Sequence, residues 1–352
     1  MQLYRSVLGQ GADYSASYTV TDLSTGNLMK GSLNYSFYGN SFNTNITIGN
    51  NVAYCSHTFD YCRNLNQNIQ IPNSVVDCSY MFNGCKNLKQ AIYIPSSVKN
   101  CYGMFSECTN INSNIVITNA SDCRSMFNNC VTLNQNISIP SSVTNIVEMF
   151  NKCSALNQNI SIPSGVTNCH RLFFNCLVLN QNILMPDSVV DCSYMFSNCK
   201  YLNQNIKISN NAVNCASMFM YCNNMRQKPI VIPSKVTNCC LMFGHSGNYN
   251  ATSITIPSSV TDIYGMFMDT IWGGNLYIKG TSSRTINTIG LFAGTSNSSR
   301  KNIYFNKNVN SSFNKTTGST SIVQSTITWT TMTNGFYNSV YNIYCYYNYS
   351  VN

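Results

Sequence analysis

The sequence repeats, with variation, the stretch Cys78-Ser79-Tyr80-Met81-Phe82-Asn83-Gly84-Cys85-Lys86-Asn87-Leu88 from residue 55 almost to residue 292. The anchor of each copy is a phenylalanine, and successive anchors lie 22 to 25 residues apart. So constant a period indicates a stack of similar units, each burying its apolar face against its neighbours. The anchors are Phe59, Phe82, Phe105, Phe127, Phe150, Phe173, Phe196, Phe219, Phe243, Phe267 and Phe292.

The first half of each repeat has the pattern of a short strand. Isoleucines stand two residues apart, as at Ile92 and Ile94, so one face of the segment is predicted to be buried. Proline follows directly in most repeats, as at Pro95, and its missing N–H ends a strand ladder. We therefore predict one short parallel strand per repeat, from Ile46-Thr47-Ile48 to Ile303-Tyr304-Phe305.

The second half of each repeat has helical spacing. Cys78, Phe82, Cys85 and Leu88 lie at i, i+4, i+7 and i+10, which places them on one side of a short helix or 3₁₀ segment. The fold class that follows is an α/β solenoid of about twelve strand–turn–short-helix units over residues 46–310, with a parallel sheet on one face.

The two ends lack the period, and we predict β-rich caps there. Residues 1–45 contain two strand-like runs, 18–23 and 28–35, around a Gly/Asn turn, which predicts a hairpin acting as a cap or an attachment segment. Residues 311–352 end in an aromatic-rich run, predicted to pack on the last turn or on a second copy of the chain. The candidate oligomer contacts are Tyr341, Tyr344, Tyr346 and Tyr347.

The repeat resembles the leucine-rich repeat of the BspA-like family. The residues that carry the match include Ile139-Pro140-Ser141-Ser142-Val143, Met149-Phe150, Cys153 and Leu156. The resemblance covers about three quarters of the chain and implies a leucine-rich-repeat solenoid. The chain departs from the family by placing Cys where members usually have Ile-Gly, and Met where they have Ala before the phenylalanine. Known secreted members carry export signals, and no signal-peptide run is visible at the start of this sequence.

Sixteen of the 18 cysteines form two rows, four residues before and three residues after the anchor. The spacing is C-x6-C rather than the C-x2-C of zinc sites, and Ile146 and Ile263 replace cysteine in the first row. Both rows are therefore interpreted as reduced core thiols, with neither a metal site nor a disulfide framework predicted. Disulfide pairing of some of them remains a minor alternative.

An asparagine precedes the strand in nine repeats, as at Asn136 and Asn159. We interpret this as a buried row that hydrogen-bonds the adjacent turn. Because some of these asparagines match the N-glycosylation pattern, glycans there would disrupt stacking, which disfavours passage through a eukaryotic secretory pathway.

The middle residue of each strand is predicted to point away from the core, and this row is richer in apolar residues and tyrosine than a solvated face requires. Ordinary strand propensity is the alternative explanation. The candidate ligand-binding residues on this face are Tyr93, Val116, Leu184, Lys207, Val231, Tyr277 and Tyr304.

Composition narrows the classes of function. The net charge is +9, but only 9% of residues are charged and they form no basic run, so nucleic-acid binding is not predicted. The sequence contains no apolar run of transmembrane length, and membrane insertion is not predicted either. Since no catalytic constellation, phosphate-binding loop or cofactor motif is present, we predict neither an enzyme nor a cofactor.

Three functions remain open for a non-catalytic recognition protein. The leading expectation is a virion component, such as a phage fibre, tail or capsid-decorating protein, made in the cytosol as a homo-oligomer. The first alternative follows the resemblance and is a bacterial cell-surface adhesin. The second is an intracellular protein-binding scaffold. The expected partner is a protein or glycan on a host or cell surface, or another virion protein.

Overall fold

The computed structural model describes most of the repeat region and parts of both ends. The chain forms two compact units, the N-terminal unit Met1–Val166 and the C-terminal unit Thr167–Asn352. The described residues are 18–19, 31–41, 46–225, 230–249, 251, 253–272, 274–279, 285–287, 290–294, 301–306, 327–328, 336–338 and 343–349.

The regular secondary structure of these residues is entirely β. In the N-terminal unit, β1 pairs with β2 and β3 with β4, both in parallel. In the C-terminal unit, a five-stranded sheet has the order β12-β13-β10-β8-β6, parallel except for the β12–β13 pair. The strands are β1 Tyr18–Thr19, β2 Ile46–Thr47, β3 Ile92–Ile94, β4 Ile115–Ile117, β5 Gly247–Asn248, β6 Ser253–Ile256, β7 Thr270–Ile271, β8 Asn275–Ile278, β9 Thr285–Ile286, β10 Lys301–Asn306, β11 Ile327–Thr328, β12 Phe336–Asn338 and β13 Ile343–Tyr349.

The strand prediction is confirmed at β2, β3, β4, β6 and β10. In other repeats the burial alternates as predicted, with Ile206 and Ile208 buried around an exposed Lys207, but residues 206–208 join no ladder. The predicted sheet is therefore interrupted within the described residues. The count of about twelve units stays a prediction.

The predicted short helices are absent from the described residues, and the second half of each repeat is a series of turns. The N–H groups of Met81 and Asn83 donate to carbonyls three residues earlier, at 3.1 Å each. The N–H groups of Tyr80 and Phe82 donate instead to carbonyls of the following repeat, at 2.7 and 2.9 Å. Alternate amides thus close local turns and join neighbouring repeats, a pattern that no α-helix can have.

The backbone explains why the helix prediction was wrong. The residues two before and two after each anchor are left-handed; around Phe82 they are Tyr80, with φ 53°, and Gly84, with φ 67°. A residue with positive φ cannot continue a right-handed helix. Successive turns return the cysteine and phenylalanine side chains to one side, so they reproduce a helix-like spacing of apolar residues without a helix.

The core of each unit is a stack of the anchor phenylalanines. In the N-terminal unit, six rings from Phe37 to Phe150 stack with centroids 5.4 to 5.6 Å apart. In the C-terminal unit, six rings from Phe173 to Phe292 stack at 5.6 to 5.8 Å. The anchor role predicted from the period is confirmed in both units, and the anchor phenylalanines from Phe59 to Phe292 are buried.

The repeat geometry begins earlier than the predicted boundary at residue 46. Phe37 is buried and stacks on Phe59, and it is flanked by left-handed Tyr35 and Gly39 like every later anchor. The predicted hairpin is wrong in its described part, since residues 33–35 lie in turns and β1 pairs with β2. The spacing from Phe37 to Phe59 is 22 residues, so the period itself contained this copy.

A row of Asp and Asn five residues before the anchor makes the most regular link between repeats. Asp77, Asn100 and Asp122 form successive parallel bridges. The Oδ1 of each also accepts the N–H two residues on, at 2.8, 3.1 and 3.0 Å, which fixes the chain at the start of each turn series. Sequence analysis did not identify this row, whereas the structure gives its members a shared role.

The predicted buried asparagine row is wrong in repeats such as those of Asn136 and Asn159, which are exposed. At the C-terminal end of the row, half-buried Asn302 does bond the adjacent repeat, since its Nδ2 donates to Asn275 Oδ1 at 2.8 Å. The ladder is formed two residues earlier, where Asn134 Oδ1 accepts the Asn157 N–H at 2.9 Å, and Asn112 Oδ1 accepts the Asn134 N–H at 2.8 Å. The argument against glycosylation loses its basis, since it required the exposed asparagines to be buried.

Candidate binding surfaces

The strand face of the N-terminal unit carries two of the predicted ligand-binding residues. Tyr93 on β3 and Val116 on β4 are register partners. Their side chains are 56% and 37% exposed, while Ile92 and Ile94 on either side of Tyr93 are buried. The outward direction follows from the two-residue period of a strand. The structure therefore brings Tyr93 and Val116 together at the surface.

The strand face of the C-terminal unit carries the other five. Leu184 and Val231 are 69% and 77% exposed, and Lys207 is also exposed. Tyr277 on β8 and Tyr304 on β10 are half-buried register partners whose rings stack with centroids 4.8 Å apart. Large apolar side chains left this exposed are characteristic of interaction surfaces when they are contiguous.

The predicted oligomer contacts are only partly described. Tyr341 lies outside the described residues, and Tyr344, Tyr346 and Tyr347 belong to β13. The backbone of β13 pairs with β10 on one side and β12 on the other. β10 pairs along β13 from Ile343 to Tyr349, whereas β12 covers the other edge only from Ile343 to Cys345. A role of these tyrosines in oligomer formation stays a prediction.

The N-terminal unit has an aromatic ladder on its turn side that sequence analysis missed. Tyr35 stacks on His57 at 4.4 Å, His57 on Tyr80 at 4.8 Å, and Tyr80 contacts Tyr102 at 4.8 Å. The Arg124 guanidinium lies 4.7 Å from the centre of the Tyr102 ring. The sequence did contain a signal for this ladder, because Tyr35, His57 and Tyr80 all lie two residues before an anchor phenylalanine.

Polar contacts fix this ladder at two points. His57 Nδ1 lies 2.6 Å from Oδ2 of buried Asp60, whose Oδ1 accepts a hydrogen bond from Asn83 at 2.8 Å. Arg124 pairs with Asp122 at 2.7 Å. No hydroxyl or thiol nucleophile bonds His57 in the described part of the chain, so the His57–Asp60 pair lacks the third member of a catalytic triad.

A second histidine cluster in the C-terminal unit also fails as a triad. His170 Nδ1 lies 2.8 Å from Ser193 Oγ, and Ser193 Oγ donates to Asp191 Oδ1 at 2.6 Å. The serine therefore stands between the histidine and the acid, whereas catalysis requires the histidine in that place. Ser193 is also buried. The cluster joins two neighbouring repeats and offers no accessible nucleophile.

The cysteine rows form part of the core. The cysteines from Cys55 to Cys240 are free, and all of these but Cys240 are buried. Burial raises the pKa of the Cys55 and Cys62 thiols to about 12, so they are neutral and unreactive near pH 7. No group of three or more His, Cys, Asp or Glu suited to a metal ion occurs in the described ranges. The two rows act as packing residues, as predicted.

The second cysteine row also has a polar role. Seven of its thiols donate to the carbonyl of the anchor phenylalanine one repeat earlier, as Cys85 Sγ does to Phe59 O at 3.0 Å. Where the row loses cysteine, Ser246 and Thr270 keep the bond, to Phe219 O at 2.7 Å and Phe243 O at 2.5 Å. The row is therefore defined by a buried hydrogen-bond donor as well as by size.

The fold and these surfaces define a repeat protein of the leucine-rich-repeat class. The chain belongs to the family described as "Mycoplasma protein of unknown function, DUF285", whose model matches residues 31–140, 139–232 and 162–255. A search of curated proteins finds no significant match. Helices long and apolar enough to cross a bilayer are absent from the described residues.

Two solved structures resemble the chain. The first is a leucine-rich repeat protein from Bacteroides ovatus, 19% identical, with a TM-score of 0.50 over 78% of this chain and 82% of that one. The second is a leucine rich cell surface protein from Faecalibacterium prausnitzii, 19% identical, with a TM-score of 0.39 over 74% of this chain and 86% of that one. The first confirms the predicted resemblance to BspA-like leucine-rich repeats at the level of the fold.

Proposed function

We propose that this protein is a non-catalytic recognition protein that acts at a cell surface and binds a macromolecular partner through the strand faces of its two units. The observation that carries the proposal is the exposure of Tyr93 in the N-terminal unit and of Leu184 and Val231 in the C-terminal unit, at 56%, 69% and 77%. Tyr93 lies between buried Ile92 and Ile94, and Val231 lies between buried Ile230 and Ile232. Desolvating such side chains favours association, at roughly 25 cal/mol per Å² of apolar area. A rigid repeat scaffold presents them without a large ordering cost.

This proposal favours the adhesin alternative over the virion component that we expected first. The fold match is to a bacterial leucine-rich repeat protein, the family is described as a mycoplasma one, and neither match reported above is to a virion protein. The proposal that the protein is not an enzyme is supported by the His57 and His170 clusters, in which the histidine and its acidic or hydroxyl neighbours are not arranged as a catalytic triad.

The strand-face proposal is tested by adding the fluorescently labelled full chain to cultured epithelial cells and measuring bound protein by flow cytometry. The triple variant Tyr93→Ala, Leu184→Ala, Val231→Ala should lose about tenfold or more of cell binding, since each truncation removes exposed apolar contact area. The control is Tyr201→Ala, a tyrosine 60% exposed in a turn. Unchanged binding of the triple variant would refute the assignment to this face.

The cellular location needs its own experiment. Trypsin added to intact cells that express the chain should degrade it if it lies on the outer surface, while a cytosolic marker protein remains intact. Protection from trypsin would favour the intracellular scaffold, and recovery in purified particles would restore the virion interpretation.

We further propose that the aromatic C-terminal run mediates homo-oligomer formation. The basis is compositional: residues 336–349 contain seven aromatic side chains. Light scattering during size exclusion should give the mass of an oligomer for the full chain, and a smaller mass after joint replacement of Tyr341 and Tyr347 by Ser. A monomeric full chain would exclude this proposal and leave the run as a cap.

A further inference from the structure

The strand side of the C-terminal unit contains a cleft with a volume of about 460 Å³. The cleft lies between the segment 230–232 and strand β6, on the face that carries exposed Val231. Its volume lies within the range of small-ligand sites, which is about 300–1,000 Å³. The lining residues are Ile230, Val231, Ile232, Ser234, Ser253, Thr255, Pro257, Ser258 and Lys279.

The cleft coincides with an interruption of the sheet. Strand β6 is the edge of the five-stranded sheet and pairs with β8, but the segment 230–232 joins no strand ladder among the described residues. The neighbouring repeats are nevertheless held together elsewhere, because Asn238 and Asp262 form a parallel bridge and Phe243 and Phe267 stack at 5.7 Å. The opening is therefore bounded by a rigid frame.

Hydroxyl groups dominate the polar lining. In the described part of the unit, the hydroxyls of Ser234, Ser253, Thr255 and Ser258 have no hydrogen-bond partner. Ser259, next in sequence, differs, since its Oγ donates to Val236 O at 2.6 Å and so ties two repeats together. The cleft thus presents four uncommitted groups that each donate and accept.

A lysine supplies the charge of the cleft. Lys279 directly follows β8, its backbone N–H donates to Ile256 O at 2.9 Å, and its side chain is exposed. No acidic side chain belongs to the described lining. An ammonium group beside several hydroxyls attracts a ligand that combines a negative charge with many hydrogen-bonding groups.

We propose that this cleft binds a carboxylate-bearing sugar, an acidic residue of a glycan. The sugar hydroxyls bond the Ser and Thr hydroxyls, the carboxylate faces Lys279, and Val231 covers an apolar edge of the ring. The proposal rests on the proposed recognition function and specifies its ligand class. An acidic peptide would use the lysine as well, but it would leave most of the lining hydroxyls without partners.

The test compares two acidic saccharides with matched neutral ones on the intact chain, by saturation-transfer NMR and calorimetry. The probes are sialyllactose against lactose, and a hyaluronan hexasaccharide against chitohexaose. At least one acidic saccharide should bind about tenfold or more tightly than its neutral counterpart. Lys279→Gln should reduce that affinity about tenfold, and Thr255→Val severalfold, while Lys86→Gln in the N-terminal unit leaves it unchanged.

Three outcomes would overturn the inference. They are the absence of binding by both acidic saccharides, equal binding of the neutral ones, and binding that Lys279→Gln does not weaken. A hexaglutamate peptide that binds as tightly as the saccharide would likewise replace the sugar with an acidic polypeptide. Failure here is distinguishable from failure of the proposed function, because the strand-face triple variant is scored separately by cell binding.

Discussion

Cys78 of the first cysteine row and Cys85 of the second should respond in opposite ways to serine. Cys85, in the second row, donates its S–H to Phe59 O at 3.0 Å, whereas no hydrogen bond of Cys78 Sγ in the first row is found among the described residues. Both side chains are fully buried and belong to the same repeat, so their surroundings are closely matched. The change of cysteine to serine therefore separates the need for a donor from the need for a small apolar group.

The magnitudes follow from the two environments. Cys85→Ala loses a hydrogen bond of about 0.5–1.5 kcal/mol and a methylene-sized contact of roughly 0.8 kcal/mol, so it should cost about 1.3–2.3 kcal/mol of unfolding free energy. Cys78→Ala should cost only about 1 kcal/mol, the contact alone. Cys85→Ser keeps the donor and should cost less than about 1 kcal/mol, while Cys78→Ser buries an unsatisfied hydroxyl and should cost about 1–3 kcal/mol.

The assay is equilibrium urea unfolding of the full chain under reducing conditions, followed by tryptophan fluorescence and circular dichroism. Slopes should match between variants, so that midpoints report stability. The natural substitutions agree with the expectation, since Ile146 and Ile263 occur in the first row and Ser246 and Thr270 in the second. If serine is tolerated equally at residues 78 and 85, the thiol hydrogen bond contributes nothing and the reasoning fails.

Three further predictions concern the turns and the thiols. Gly103→Ala should lower the free energy of unfolding in urea by about 2 kcal/mol or more, because its φ is 60° and a Cβ would meet the Tyr80 ring at 2.4 Å. The control is Gly39→Ala, where φ is 70° and no atom lies within 4 Å, so only the backbone strain of about 1 kcal/mol is expected. Equal costs of the two substitutions would contradict the clash with Tyr80. Burial raises the pKa of the Cys62 thiol from about 9 to about 12, so the folded state holds the thiol proton more tightly than the unfolded state does. The resulting contribution to the free energy of unfolding is fully present below pH 9 and is lost as the pH rises toward 12. A free energy of unfolding that does not change from about pH 8 to 11 would count against it. Asn129→Val should be less stable than Asn129→Gly by about 1–2 kcal/mol at φ 61°, measured by thermal unfolding, and the reverse order would exclude a left-handed residue there.

Part of this fold follows from the sequence because it depends on burial alone. The anchor phenylalanines and both cysteine rows were identified from the period, and all the described anchors are buried. The outward direction of Tyr93, Leu184 and Val231 followed from the two-residue alternation of a strand. These predictions held because a side chain that recurs at one place in every repeat must be either in the core or out of it.

The hydrogen-bond pattern could not be predicted in the same way. The spacing of Cys78, Phe82 and Cys85 fits both a short helix and successive turns, and only the backbone of Tyr80 and Gly84, with positive φ, distinguishes them. The asparagines posed a similar problem: in Asn134-Gln135-Asn136 both ends recur, and the side-chain bond is made by Asn134. Composition alone does not show which of two polar residues, two apart in the sequence, reaches the neighbouring repeat.

The sequence nevertheless indicated the turns, because certain residue types are absent from two positions of each repeat. The positions two before and two after the anchor carry Tyr, His, Glu, Ser, Asn, Lys, Arg, Leu, Asp and Gly; among the described left-handed residues none is Val, Ile or Thr. Those three types are abundant elsewhere in the repeat, and a branched Cβ is the feature that positive φ tolerates least. A helix would show no such exclusion at two positions four residues apart. The same constraint bears on the aromatic ladder of Tyr35, His57 and Tyr80. The described residues at this position have side chains that are not branched at Cβ, and the stacking of these three rings stabilises neighbouring repeats without requiring a ligand. The strand face carries no such restriction, which is why its exposed apolar residues weigh more as a binding surface.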